Sequence, residues 1–361
     1  MAQNLVVDTP LVYDLSLKDW QDVLKEWGEP AFRAQQIWTG LYQQLWSSPD
    51  EFTNIPRTLR EKLQQNVRFV SLQPMQDLKS KDGETNKLLF ELPDHRAIET
   101  VLMRYNDRRT ICISTQSGCA MGCVFCATGQ MGFLRHLTSG EIIEQVLYFA
   151  RILKQEGDRL TNVVIMGMGE PFHNFDATMA AIDRLNDPTG FNFGERRFTI
   201  STVGLVPLID RFASQKRQVN LAISLHAAND TLRTSLLPIN KKYNIQTLIT
   251  ACRNYVERTG RRITFEWALI QNVNDSAQDA SQLSGLLKGL ICHVNVIPLN
   301  PTTKYGGKAT TRERAQIFKE VMEKNGIPCT IRIRRGIDIQ AGCGQLASRN
   351  LAAPEGPSEP A

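Results

Sequence analysis

Downstream of residue 109 the chain alternates short apolar runs with longer stretches whose apolar residues recur at helical spacing. The short runs, residues 109–115, 162–167, 197–202, 219–225, 262–269 and 292–299, each predict a strand. Between them the pattern predicts helices over residues 138–154, 175–186, 245–259, 277–289 and 311–325. Thr138 followed by Glu141 is a capping-box pattern at the first of these starts. Six strand–helix units in series predict an α/β fold, a partial (β/α)6 parallel barrel smaller than the full eight-unit form. Residues 330–334 predict one more strand at its edge.

Upstream, the pattern changes twice. Ser16 can cap a helix that runs through Trp27 and ends at Gly28. Pro30 stands where a second helix would begin, with Phe32, Ile37, Leu41 and Leu45 on its apolar face, and Pro56 precedes a third over residues 57–65. Residues 1–68 therefore predict a small helical accessory domain that docks RNA or shields the core. Residues 69–105 predict strands at 86–92 and 96–105, with turn signals at Asp82-Gly83 and Pro93-Asp94. The stretch KSKDGETNK, residues 79–87, predicts an exposed basic hairpin loop. The core domain then covers residues 106–347. Residues 348–361, rich in Pro, Glu, Ala and Ser, predict a disordered tail.

In a parallel barrel the chemistry gathers at the C-terminal ends of the strands. The first predicted strand is followed by Cys119-Ala-Met-Gly-Cys123-Val-Phe-Cys126, and the second by Gly167-Met168-Gly169-Glu170-Pro171. The third ends at Ser201-Thr202, the fourth at Ser224-Leu225-His226, and the sixth at Asn300-Pro301. Any one of these is an ordinary turn composition. Five at one rim predict a shared site.

Three thiols in a C-x3-C-x2-C run can converge on one metal centre. A closed zinc site takes about four ligands, and an ordinary iron–sulfur cluster takes about four cysteines. The local run stops at Cys126. A cubane held by three thiolates keeps one iron open for a substrate. The alternative is a zinc site that borrows a distant ligand such as His136.

Cys252, Cys292 and Cys329 lie in apolar surroundings and predict small buried hydrophobes. Cys112 differs because it precedes the triplet on the first barrel strand. Cys343 differs because it lies between Gly342 and Gly344, where the backbone has freedom to move a thiol.

Net charge is +5 over 361 residues, and the basic residues are clustered: Lys79 and Lys81, Arg108 and Arg109, Arg196 and Arg197, Lys241 and Lys242, Arg258 with Arg261 and Arg262, and Arg332 with Arg334 and Arg335. Such clusters fit a polyanionic partner or a set of solvated faces. Eight cysteines in a chain of this length do not make a disulfide scaffold, and a clustered triplet points to a reducing compartment. MAQNLVVDTP has no basic stretch leading into an apolar one, so no signal peptide is expected. No apolar run approaches the ~20 residues that span a bilayer. The expectation is a cytoplasmic protein without a membrane partner.

The cysteine spacing, with Phe125 before the last thiol, resembles the radical S-adenosylmethionine superfamily. Cys112, the triplet, GMGEP, SLH and AGCGQLA together extend the likeness from about residue 16 to residue 347. Over that span the chain resembles the radical S-adenosylmethionine methyltransferases that modify adenosine in RNA, in particular the dual-specificity adenine-C2 type acting on 23S rRNA and tRNA. The resemblance implies a barrel of radical S-adenosylmethionine type and one 4Fe-4S cluster on Cys119, Cys123 and Cys126. It implies S-adenosylmethionine held by Gly169, Glu170, Ser201, Ser224, Leu225, His226 and Asn300, two molecules per turnover. From the residues alone, His226 is equally readable as a hydrogen-bonded structural histidine.

By the same resemblance Cys343 carries a methyl group that becomes the attacking radical, Cys112 releases the product through a transient disulfide, and Glu99 takes the C2 proton. An external electron donor such as flavodoxin or ferredoxin and a monomeric enzyme are expected. Alternatives are the sister activity at C8 of the same rRNA adenosine, a zinc-containing RNA-binding assembly factor without catalysis, and a radical enzyme acting on a small molecule.

Overall fold

Ser16 caps the first helix, α1 (Leu17–Glu26): its hydroxyl accepts the Asp19 N–H at 3.1 Å and the Asp19 carboxylate accepts the Ser16 N–H at 2.8 Å. The computed structural model describes residues 9–347, and the predicted tail, 348–361, lies outside the described residues. Helix α2 (Phe32–Thr39) continues into a π-turn over Gly40–Gln44, and α3 (Arg57–Asn66) follows. Ile37, Leu41 and Leu45 are buried as expected, but Phe32 is 58% exposed and leaves its place on the apolar face to Ala34 and Trp38.

Next come β1 (Gln73–Lys79), β2 (Thr85–Glu91), β3 (Ala97–Arg104) and β4 (Arg109–Cys112), an antiparallel run that joins the barrel sheet. β1 is not legible as a strand. It is an edge with one pairing partner, so its sequence is polar. The predicted loop KSKDGETNK is a loop only at its centre. Thr85, Asn86 and Lys87 are buried in β2, because β1 and β3 flank it on both sides.

A small hairpin, β5 (Gln116–Gly118) with β6 (Phe133–His136), surrounds α4 (Ala127–Met131). The barrel proper then alternates α5 (Ser139–Gln155), β7 (Asn162–Ile165), α6 (Phe175–Asn186), β8 (Phe198–Thr202), α7 (Val206–Ser214) and β9 (Asn220–Ser224). It continues with α8 (Asp230–Leu236), α9 (Ile245–Thr259), β10 (Ile263–Leu269), α10 (Ala277–Leu287), β11 (Cys292–Pro298), α11 (Arg312–Lys324) and β12 (Cys329–Ile331). Thr138 and Glu141 form the predicted capping box of α5.

β4 and β7 to β12 are parallel in sequence order. The sheet has ten strands with β1 and β12 at its ends, so the arc does not close by strand pairing. The helical unit docks on the start of α5, where Asp14 Oδ1 accepts the Gly140 N–H at 2.7 Å, and on α6, where Arg184 donates to Tyr13 O at 3.0 Å. Among the described residues no helix is long and apolar enough to cross a membrane.

Candidate active site

The loop after β7 is pressed against the connection between β4 and β5. Gly169 has φ +102°, and a Cβ there would stand 2.6 Å from the Gln116 side chain, so only glycine fits. Gln116 is fully buried and works in two directions. Its Oε1 accepts the Glu170 N–H at 2.8 Å, and its Nε2 lies 3.1 Å from Nδ1 of both His136 and His173. The Glu170 carboxylate accepts the N–H groups of Phe172 and Val203 at 3.0 and 2.9 Å. Burial raises its carboxyl to about 7, against those hydrogen bonds.

The cysteine loop leaves β5 with the Cys119 N–H on Gly132 O at 2.8 Å. The Val124 N–H donates to Leu236 O at 3.1 Å, and Cys126 stands at the start of α4. Cys119, Cys123 and Cys126 line one cavity of about 170 Å³. Burial pushes Cys119 up to about 12 and Cys123 well above its ordinary value.

His136 is not part of this cavity, which removes the residue named for a zinc alternative. Glu170 and His226 do line it, but both Glu170 oxygens and His226 Nδ1 are taken by backbone N–H groups. Among the described residues no three His, Cys, Asp or Glu side chains stand close enough to share one metal ion. A cubane asks for a different arrangement, with each thiolate on its own iron. The donor set, three thiols lining one cavity, fits a 4Fe-4S cluster with an open iron.

The opposite wall carries the polar strand ends. Ser201, next to last in β8, and Ser224, last in β9, hold their hydroxyls 3.3 Å apart. His226 has φ +58°, packs its ring edge-to-face on Phe125 at 5.0 Å, and accepts the Ala268 N–H on Nδ1 at 2.9 Å. That bond places its proton on Nε2. Burial depresses its pKa to about 3, so it is a neutral donor.

Asn300 donates from Nδ2 to Cys343 O at 3.1 Å, while its Oδ1 is buried without a partner. Leu225 is the exception among the predicted contacts. Its side chain is fully buried in the core, away from the cavity lining, and its backbone is engaged by Glu266 O, Ala227 N–H and Arg233.

Cys343 opens onto this cavity and onto a second one, of about 110 Å³, that it shares with Cys112, Tyr105, Arg332, Arg334 and Arg335. Cys112 is buried on β4 between Val101 and Val164, and burial, reinforced by the neighbouring Cys343, pushes its thiol up to about 12. Cys343 is the one exposed cysteine among the described residues; desolvation of its sulfur still raises the thiol, Arg332 draws it back down and Glu266 pushes it up again. The loop that carries Cys343 is tied to the cysteine loop. Ala127 N–H donates to Gly344 O at 2.7 Å and Thr128 Oγ1 to Leu346 O at 2.6 Å.

Glu99 is not brought to either thiol cavity. Its carboxylate is buried against Lys87 Nζ at 2.8 Å and the Ala347 N–H at 2.7 Å.

Three site residues escape a reading of the rim alone. Arg233, fully buried, ties Val203 O at 2.7 Å to Asn240 Oδ1 at 2.9 Å behind the serines. Glu266 lines the first cavity with Oε2 buried and unpartnered, and Arg332 lines the second. The available signal for Glu266 was a carboxylate at the centre of an apolar strand.

The radical SAM superfamily model matches residues 113–283, the stretch that supplies the cysteine loop and most of the barrel. The model of the ribosomal RNA large subunit methyltransferase N-terminal domain matches residues 12–69, the helical unit. A probable dual-specificity RNA methyltransferase RlmN of Chloroflexus aurantiacus is 46% identical over 350 residues, covering 94% of this chain and 93% of the relative. Dual-specificity RNA methyltransferase RlmN 1 of Myxococcus xanthus is 48% identical over 335 residues, covering 93% of each. The crystal structure of a radical SAM methyltransferase from Sphaerobacter thermophilus superposes with a TM-score of 0.92 at 50% identity, over 94% of this chain and 99% of that one. The chain belongs to the RlmN family of dual-specificity RNA methyltransferases, within the radical SAM superfamily.

Proposed function

We propose that the protein methylates carbon C2 of a specific adenosine in 23S rRNA and in tRNA, using two molecules of S-adenosylmethionine per turnover. The observation that carries this reading is the cavity shared by Cys112 and Cys343 beside the three-thiol cavity. An enzyme that passed a methyl group directly from cofactor to substrate would need neither thiol.

Cys119, Cys123 and Cys126 hold the cluster, which when bound supplies the electron that splits the sulfonium of S-adenosylmethionine to a carbon radical. Gly169, Glu170, Ser201, Ser224, His226 and Asn300 surround that cofactor from the strand ends, and Asn300 Oδ1 is an acceptor still without a donor. The Cys343 thiolate, favoured by Arg332, attacks the methyl carbon of one S-adenosylmethionine, and the methyl–sulfonium bond breaks with its electron pair leaving on S-adenosylhomocysteine. Removal of a hydrogen atom from that methyl leaves a methylene radical on Cys343, which adds to the electrophilic C2. The adduct gives up the C2 proton to a base and one electron, which the oxidised cluster, when bound, would take back. Cys112 thiolate then attacks Cys343 Sγ; the S–CH2 bond breaks with its electron pair going to carbon, a proton completes the methyl group, and the two cysteines are left as a disulfide.

For the C2 proton the cavity offers Glu266 Oε2, buried and without a partner. Glu99, the proton acceptor that the resemblance implies, lies outside that cavity lining, with its carboxylate against Lys87 Nζ and the Ala347 N–H. The helical unit and the arginines around the second cavity are placed to hold RNA phosphates while the target base is extruded. The donor of electrons is an external carrier such as flavodoxin or ferredoxin, and the enzyme acts as a monomer in the reducing cytoplasm.

The test is an anaerobic assay with reconstituted cluster, reductant, S-adenosylmethionine and either a 23S rRNA fragment or tRNA. Mass spectrometry of the digested nucleosides should return 2-methyladenosine from both. 8-Methyladenosine would overturn the C2 assignment, and a single productive RNA would overturn dual substrate use.

A further inference from the structure

Gln116 stands between two histidines and the loop after β7, and its amide can point only one way. The Glu170 N–H is a donor, so Gln116 Oε1 must face it, at 2.8 Å. Nε2 then turns its two hydrogens to the histidines. Nδ1 of His136, the last residue of β6, and Nδ1 of His173, in the loop before α6, each lie 3.1 Å from it. Both nitrogens must therefore be bare acceptors, with each ring proton on Nε2.

The amide is fully buried, whereas both histidines are exposed. Their rings lie 4.9 Å apart, and Phe133 packs on them at 4.9 and 5.5 Å. Solvent protons reach the pair, but water does not replace what the amide holds. A proton on either Nδ1 would set N–H against N–H. The amide could meet it only by turning its oxygen outward, and the buried Glu170 N–H would lose its acceptor. The Thr115 and Gln116 N–H groups hold the same loop one step earlier, on Met168 O at 2.8 and 3.2 Å. Beyond Met168 the anchor is the Gln116 side chain.

The charged groups around the pair are committed elsewhere. Arg135 on β6 pairs with Asp94 and with Glu141 from the start of α5. The Glu170 carboxylate, across the amide, is taken by the Phe172 and Val203 N–H groups. Burial, and then the neighbouring His173, holds the His136 imidazole below its ordinary value, so it is neutral at neutral pH and protonates only in acid.

We infer that Gln116, His136 and His173 are positioning residues for the cofactor: the neutral histidine pair fixes the Gln116 amide, and the amide fixes the Gly169-Glu170 backbone against which S-adenosylmethionine binds. The inference rests on the reading of that loop as part of the cofactor site. It couples cofactor affinity to the protonation of two residues outside the cavity lining.

The test uses the full chain. The first measurement is equilibrium binding of S-adenosylmethionine to the anaerobically reconstituted enzyme, as wild type and as His136→Asn/His173→Asn, from about pH 5 to about pH 8. Asparagine offers an acceptor and does not titrate. The ratio of the two affinities cancels the titration of the cofactor's own amine. That ratio should be level above about pH 7 and fall on the order of tenfold toward about pH 5, the size of one buried hydrogen bond.

The second measurement needs no cofactor. In the full chain with ring-labelled histidine, nuclear magnetic resonance follows the His136 titration. Gln116→Glu keeps an acceptor for the Glu170 N–H and adds one for an imidazolium, so His136 should titrate at higher pH than in the wild type. A ratio that stays level down to about pH 5 would overturn the inference. So would a His136 titration that Gln116→Glu leaves in place. A wild-type enzyme with an intact cluster that binds no S-adenosylmethionine at any pH would remove the reading of the loop as the cofactor site, and the inference with it.

Discussion

Asn300, in the lining of the three-thiol cavity, donates to the carbonyl of Cys343 at 3.1 Å and keeps its own Oδ1 buried and unpartnered. One amide thus ties the Cys343 loop to the wall of that cavity. Asn300→Ala should weaken S-adenosylmethionine binding about tenfold, the size of one hydrogen bond or ~1.4 kcal/mol. Equilibrium binding to the reconstituted enzyme checks it. Unchanged affinity would mean that Oδ1 meets only water.

The two cysteines should fail differently when removed. Cys343→Ala leaves no carrier, so no methylated nucleoside should form while the cluster still assembles, as its absorbance would show. Cys112→Ala leaves the carrier but no attacking thiolate, so a covalent protein–RNA adduct should accumulate and be visible on a denaturing gel. Normal turnover by Cys112→Ala would rule out release through a disulfide.

Closure of the disulfide should depend steeply on pH. Cys112 must ionise to attack, and burial holds its thiol at about 12. Below that value the thiolate fraction, and with it the closure rate, rises roughly tenfold per unit between about pH 7 and about pH 10. Stopped-time oxidation of the RNA-free protein reads this directly. A flat profile would mean that the pair ionises far more readily than its burial dictates.

Glu144 gives a prediction for stability. Its carboxylate is buried on α5, accepts the Ser71 and Leu72 N–H groups, and is raised from 4.5 to about 7, burial being the main cause. A carboxyl raised on folding binds its proton more tightly in the native state. Its stabilising contribution is therefore present below about pH 4.5 and is lost as pH rises through about 7, at most about 3 kcal/mol. Glu144→Gln keeps an oxygen for both N–H groups and has no proton to lose. Thermal unfolding of the two proteins across that range should show the wild type losing ground as pH rises and the variant not.

The barrel was legible because its strands are covered on both faces and read as continuous apolar runs broken by polar rim residues. The cysteine triplet, Ser201, Ser224 and Asn300 all reached one cavity for that reason. What was not legible depended on partners distant in sequence. Lys87 lies in a stretch that reads as a solvated loop, and only Glu99 and Gln340 make its burial tolerable. β1 is polar because it is an edge, and α7 is a short helix opened by a proline. Leu225 follows a rim serine yet points into the core, since neighbours on a strand face opposite ways. Glu99 has a carboxylate where resemblance asks for one, but its surroundings, not its identity, determine what it touches.

The strands form a split ring. β3, β4 and the segment that follows β12 line the second cavity, and what bridges the gap is loop: Arg335 pairs with Glu84, and the Lys81 N–H donates to Asp338 at 2.9 Å. A closed barrel could widen only by breaking a ladder of backbone bonds. This one is held there by loop contacts alone, made by the segment that leads into Cys343.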